Sequence, residues 1–405
     1  MLFCLGVFTM AIFSIILRVE RIVLGFHIER SIVSIIWNVL LIVFASGQIF
    51  FISLFYKLPS IVGNMRIYYG INFVILSNVC LWFNSIVAEE VHLFHIRIGN
   101  TSNENNEMET FNCTGATQVR CVFENVFPYL LPITAQYSLV SISFVLNILS
   151  KTKQRKSITM QPSHLINEYC PLLECDELAK LEATTKMRLC MWYICVVIGV
   201  TLVSVLLILV AVLMAQPCNE EKVFRALEKY RLFYKAMLLL LASICFRMLW
   251  SQSVPTSTTT SFSSEEVILV FSSTAKTMYL LFKIHAIVNH EKIVYVITMV
   301  EDIVSLLIVY YQTVFVLQSR RYQNFKRERH FRISHVILLM FIMNLGLWFN
   351  DGFLQKHVPY VMKENNRIFD RRALDVMNGT LFPISEFYMF QLSLAFFDVY
   401  CRFRT

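Results

Sequence analysis

The sequence predicts an all-α polytopic membrane protein of about ten transmembrane helices, laid out as two parallel six-helix repeats of which the first is incomplete, with four of its six. Three observations predict it: a composition suited to lipid, a succession of apolar runs long enough to span a bilayer, and an internal repeat whose parts recur in order. Hydrophobic residues make up 56 % of the 405 residues and charged residues 16 %, against about a quarter charged in soluble domains. Mean hydropathy is +0.58. A formal net charge of +8 would suggest nucleic acid for a soluble chain, but here the basic residues gather in short loops between apolar runs, which is a topological pattern. No nucleic-acid partner is expected.

A helix of about twenty apolar residues crosses the hydrocarbon core, and only elements that satisfy their own backbone hydrogen bonds persist there. Suitable runs extend from Leu2 to Leu17, Ser31 to Phe55, Ile67 to Ala88, Val126 to Leu149, Leu189 to Ala215, Leu232 to Trp250, Val267 to Ile287, Val294 to Leu317, Ile333 to Phe353 and Leu381 to Tyr400. The first is short and starts at Met1, as a signal peptide would, but no basic leader precedes it, so it is read as a helix. Lysine and arginine are retained on the cytoplasmic side. The loop after the fourth run opens with Lys151, Lys153, Arg155 and Lys156, and that after the eighth holds Arg320, Arg321, Lys326, Arg327, Arg329 and Arg332. An even number of crossings separates these loops, so both can be cytoplasmic, and both termini then lie inside.

That orientation puts the acidic stretch from Asn100 to Glu124 outside. It carries Cys113 and Cys121, a candidate disulfide in an oxidising compartment, and two glycosylation tripeptides at Asn100 and Asn112; a third, at Asn378, also falls outside. The other cysteines lie mostly in apolar stretches, where a thiol packs as a small hydrophobe.

The repeat is explicit in the residues. Asn78-Val79-Cys80-Leu81-Trp82-Phe83-Asn84 in the third run matches Asn344-Leu345-Gly346-Leu347-Trp348-Phe349-Asn350 in the ninth at five of seven positions. The run before each copy has Gln-x-x-Phe, at Gln48 and Gln312, and the run after each has Pro-Ile followed by Tyr, as Pro132 with Tyr137 and Pro383 with Tyr388. Equivalent helices are an even number of crossings apart, so the halves are parallel repeats about an axis normal to the membrane. The expected division is a four-helix half-barrel over 1–150, a cytoplasmic linker over 151–187 and a six-helix barrel over 188–405, with two helices of the first block lacking at the amino end.

These segments resemble the otopetrin proton-channel family. Gly47-Gln48-Ile49-Phe50-Phe51, Ser77 to Trp82 and Pro132 to Leu139 look like the family's fourth, fifth and sixth helices; Gln312 to Leu317 with Ser319-Arg320-Arg321, Asn344 to Phe349, and Pro383 to Gln391 look like its tenth to twelfth. The resemblance implies a twelve-helix subunit of two six-helix barrels, paired as a homodimer, that admits protons when the outside is acid. Two titratable positions depart from the family pattern: Gln136 stands where the sixth helix has Glu, and Gln391 ends Met389-Phe390-Gln391 where the twelfth usually reads Arg-Phe-His. Phe73 also replaces a usual histidine, whereas the acid late in the twelfth helix is kept as Asp398.

An unpaired ion is prohibitively costly in a low-dielectric interior, so a proton crosses only along a relay of water and polar side chains. Glu and His can carry a proton; Gln orients water but never takes the charge. The candidate pathway residues are therefore Gln48, Asn78, Gln136, Lys276, Glu301, Asp302, Gln312, Asn344, Glu386, Gln391 and Asp398. For Glu301, Asp302 and Lys283 a structural ion pair competes with a permeation role. The amides Gln48, Asn78, Gln312 and Asn344 also suit interhelical hydrogen bonding. No phosphate loop, zinc motif or serine-hydrolase signature occurs, so neither enzyme, metal nor cofactor is expected. The expected function is a proton-selective channel of the cell membrane, its partners being protons, membrane lipids with sterol among them, and a second copy or a homologue. The alternatives are a non-conducting scaffold or regulatory subunit of a full-length homologue and, last, a secondary transporter.

Overall fold

A computed structural model of the chain describes scattered residues between 8 and 22, and residues 32–57, 70–87, 134–146, 175–215, 220–250, 263–288, 296–319, 327–354 and 377–404. Everything described in regular structure is helical. The helices are α1 (Ile32–Lys57), α2 (Gly70–Val87), α3 (Thr134–Leu146), α4 (Cys175–Ala215), α5 (Glu220–Trp250), α6 (Ser264–Val288), α7 (Val296–Ser319), α8 (Arg327–Phe349) and α9 (Phe382–Arg404). Two π-helical turns, Asn350–Leu354 and Met377–Leu381, follow α8 and precede α9. Helical turns near the amino end carry Ala11, Ser14 and Arg18. Among the described residues, six helices are long and apolar enough to cross a membrane, those containing Gly70–Val87, Cys190–Leu213, Glu221–Leu249, Ser264–Val288, Val296–Ser319 and Ile333–Gly352; Ile35–Phe51 and Thr134–Leu146 are shorter apolar helices.

The residues sort by side in the sense that lipid demands. On α7 the buried face holds Glu301, Asp302, Ser305, Gln312 and Thr313, while Ile303, Leu307 and Tyr310, at helical spacing, are exposed. On α6, Glu266, Ser272 and Lys276 are buried, and Phe271, Met278 and Phe282 point outward. Polar side chains inside and apolar ones outside reverse the pattern of a water-soluble helix. Local chemistry fixes the start of α6, where the Ser263 N–H donates to the Glu266 carboxylate at 2.9 Å and the Glu266 N–H donates back to the Ser263 hydroxyl at 3.3 Å. This reciprocal capping satisfies two donors that a helix N-terminus otherwise leaves bare.

The chain forms two compact units. The first comprises residues 1–152 and 351–387, the second residues 153–350 and 388–405. In the second, α5 packs against α7, α4 and α8, α4 packs along α8, and α6 packs along α7. Two tyrosines of α5 tie its neighbours: Tyr230 donates to the Leu202 carbonyl at 2.7 Å and Tyr234 to the Met343 carbonyl at 2.8 Å. Gly346 lets α8 approach α4 closely, because a Cβ there would overlap Val203 Cγ2 and stand 3.2 Å from the Tyr234 hydroxyl. Gly346→Ala is therefore expected to destabilise the second unit by about 1–3 kcal/mol through overpacking, read as a lower unfolding temperature of the purified protein. Adding Val203→Ala is expected to recover much of the loss.

Two helices begin earlier than their apolar runs. α4 starts at Cys175 and α5 at Glu220, where apolarity alone starts them at Leu189 and Leu232. Charged turns of good helix formers extend a helix out of the hydrocarbon without ending it.

Candidate functional site

In the first unit the polar interior is built between α1, α2 and α3. The Tyr137 hydroxyl of α3 donates to Gln48 Oε1 of α1 at 3.1 Å, and Thr134 donates to Ser85 Oγ of α2 at 3.0 Å. Asn78 is fully buried and donates to the Val74 carbonyl one turn back at 2.8 Å. This leaves Asn78 Oδ1 and Gln48 Nε2 buried with no partner among the described residues. Such atoms are where interior water binds.

The second unit repeats the arrangement. Asn344 is fully buried and donates to the Met340 carbonyl at 2.8 Å, the geometry of Asn78. The Tyr388 hydroxyl lies 2.9 Å from the Thr313 hydroxyl and 3.3 Å from the Val309 carbonyl, so it reaches α7, the counterpart of the helix that Tyr137 reaches. Beside Thr313, both polar atoms of Gln312 are buried without a partner among the described residues, as are Asn344 Oδ1 and Gln391 Oε1. The asparagine geometry recurs, whereas Tyr388 reaches α7 through Thr313 and Val309 and not through the glutamine that Tyr137 uses.

Gln136 and Glu386, 250 residues apart, end at the same place in the first unit. Both are buried, and both reach Gly352 on the π turn after α8: a Cβ on Gly352 would stand 3.2 Å from Glu386 Oε2 and 3.5 Å from Gln136 Nε2. An amide that can only orient and a carboxylate that can take up a proton share one locus.

The acids of α7 are held differently. Glu301 Oε1 is 2.6 Å from Lys235 Nζ and 3.0 Å from Arg231, and Asp302 Oδ1 is 3.0 Å from Lys283 Nζ. Glu228 of α5 accepts from Thr298 at 2.8 Å. Glu301 and Asp302 are almost completely buried, so these pairs cross-link α5, α6 and α7 where water is scarce. Arg231 was not evident as a site residue because the apolar run begins at Leu232, and Lys235, just inside that run, was not singled out. Their spacing from Glu228, three and then four residues, is the signal that they share a helix face.

The remaining candidates scatter. Lys276 is buried, with Nζ 5.8 Å from the Tyr279 ring centre. Asp398 is half-exposed and pairs with Arg402 at 2.9 Å, one turn on along α9. Asn100, Asn112, Cys113 and Cys121 lie outside the described residues; Asn378 falls in the Met377–Leu381 turn, and its side chain is not described. Among the described residues no group of three or more His, Cys, Asp or Glu could hold a metal. Against known families, the model described as Otopetrin matches residues 94–390. No curated protein matches the chain.

Proposed function

The chain belongs to the otopetrin family, a family of ion channels, and from that premise we propose that it is a proton-selective channel of the cell membrane. The observation that carries the proposal is that the buried Glu386 carboxylate and the buried Gln136 amide both lie beside Gly352. In this chain the sixth-helix position that carries an acid in the family is an amide, and Glu386 brings a carboxylate to the same place from the other half of the sequence. The carboxylate accepts a proton from water on one side and returns it to water on the other, while Gln136 holds the geometry. The unpartnered amide atoms of Gln48, Asn78, Gln312 and Asn344 support hydrated approaches through an otherwise apolar layer. We further propose cytoplasmic termini, a homodimer, and glycans on the outward-facing tripeptides.

The test is whole-cell current during an acid step outside. The expected reversal potential follows the proton gradient, by about 59 mV per tenfold change in proton concentration, as for any one-charge carrier. A reversal potential indifferent to that gradient overturns the proposal.

A second reading, a non-conducting subunit that pairs with a full-length homologue, draws on the ion pairs of α7, which hold Glu301 and Asp302 as counter-ions instead of exchangeable carriers. Wild-type current from this polypeptide expressed alone removes it.

A further inference from the structure

We propose that Gly352 is a positioning residue for the proton-accepting acid: the missing side chain on the turn after α8 sets where the Glu386 carboxylate stands, and a side chain there takes that carboxylate off the proton path. The proposal rests on the channel reading above and adds a residue to it. Gly352 is buried on the π-helical turn Asn350–Leu354. Single π-helical turns are frequent at functional sites. The Gly352 backbone lies outside the left-handed region that glycine enters more freely than other residues, so a larger residue could adopt the same conformation. What glycine supplies here is space.

That space has a direction. A Cβ on Gly352 would stand 3.2 Å from Glu386 Oε2, 3.5 Å from Gln136 Nε2 and 3.9 Å from Glu386 Cδ, and these are its three nearest heavy atoms. All three belong to the ends of two side chains. At Gly346 the same added carbon runs into Val203 of α4, and at Gly199 it meets Ile342 and Leu339 of α8 at 3.0 to 3.2 Å. Those two glycines serve the packing of α4 along α8. Gly352 instead borders the terminal groups of an acid and an amide.

Apolar contacts settle at about 3.5–4.0 Å, so a methyl on this residue pushes Glu386 Oε2 back by a few tenths of an ångström, and a branched side chain pushes it further. The end of a glutamate swings with little resistance, because its last torsion is broad. The fold therefore tolerates the methyl. Proton transfer does not share that tolerance: it runs along a hydrogen bond whose oxygens lie about 2.5–3.0 Å apart, and a misplacement of about 1 Å can cost on the order of a hundredfold in rate. The methyl also lays an apolar surface against the oxygen that takes up the proton.

Aspartate is the matching counter-change. It is one methylene shorter and draws the carboxylate back by about 1.5 Å, one carbon–carbon bond. Beside glycine that retreat misplaces the acid. Beside a methyl it makes the room the methyl needs.

The experiment measures acid-step current per surface protein, and the unfolding temperature of the purified full chain, for the wild type, Gly352→Ala, Glu386→Asp and the double variant, with Gly352→Val as a larger wedge. Gly352→Ala is expected to cut the current about tenfold and Gly352→Val to abolish it. Positioning is separated from packing by a reversal of preference: Glu386→Asp is expected to lower the current about threefold alone and to raise it about threefold or more in the Gly352→Ala background. Wild-type current in both Gly352→Ala and Gly352→Val overturns the proposal, as does a Glu386→Asp effect of the same sign and size in both backgrounds. Should Gly352→Ala fail to reach the surface, the double variant decides. A conducting double variant supports the positioning role, and one that also fails to reach the surface assigns Gly352 to packing. A silent wild type refutes the channel reading alone. The placement of Gly352 against the acid is then read from the unfolding temperature, which Gly352→Ala is expected to lower by about 2 °C or more with Glu386 in place and by less than about 1 °C in the Glu386→Asp background. An equal fall in both backgrounds overturns it.

Discussion

Glu386→Gln is expected to remove the acid-evoked proton current, by at least tenfold at equal surface expression, and the exchange Gln136→Glu with Glu386→Gln is expected to restore it. The single change is nearly isosteric, so packing around Gly352 is preserved, but an amide cannot take up and release a proton. The exchange returns one acid and one amide to the same locus, because the two terminal groups lie 3.2 and 3.5 Å from the same point beside Gly352. A merely structural role for Glu386 predicts a different result: a loss of surface protein and no rescue of current per channel. Wild-type current density and reversal in the Glu386→Gln variant would exclude the site from the proton path. The exchange also tests the division of labour, since only the position of the acid changes.

The helices, and the inward placement of many polar residues, were legible in the sequence. Lipid leaves few alternatives to a twenty-residue apolar helix, and an amide such as Asn78 or Asn344 within one has few places to go but inward. Both are fully buried. The start of α5 was not legible from apolarity, because the turns holding Glu228 and Arg231 have the composition of a loop while forming helix. That concealed Arg231 as a partner of Glu301. Nor does any local pattern place Gln136 and Glu386 beside the same glycine, which sits on a π turn that neither of their own segments specifies. Asp398 shows the converse. The resemblance singled it out as a kept acid, and only the structure gives its setting, half-exposed near the carboxyl end of α9 and paired with Arg402 one turn on.

Glu301 decides whether the acids of α7 serve the fold or the conduction path, and its replacement by Gln is expected to cost about 3–5 kcal/mol of stability, the range for breaking a buried ion pair from one side. The side chains of Glu301, Lys235 and Arg231 are only 4 %, 8 % and 12 % exposed, so the amide would leave two cations with little water to replace the carboxylate. The same physics gives the opposite result when the whole group is exchanged. Replacing Arg231 and Lys235 by Met together with Glu301 by Leu removes the charges and their desolvation cost together, and is expected to restore wild-type stability or exceed it. Thermal unfolding of the purified variants reads both outcomes, and acid-step current adds the functional half. A triple variant that is stable and still conducts makes the cluster a cross-link of α5 and α7 with no part in carrying protons. A triple variant equally stable but silent, beside a Glu301→Gln variant that unfolds like the wild type, makes Glu301 a carrier, and the cations around it then serve to set its proton affinity.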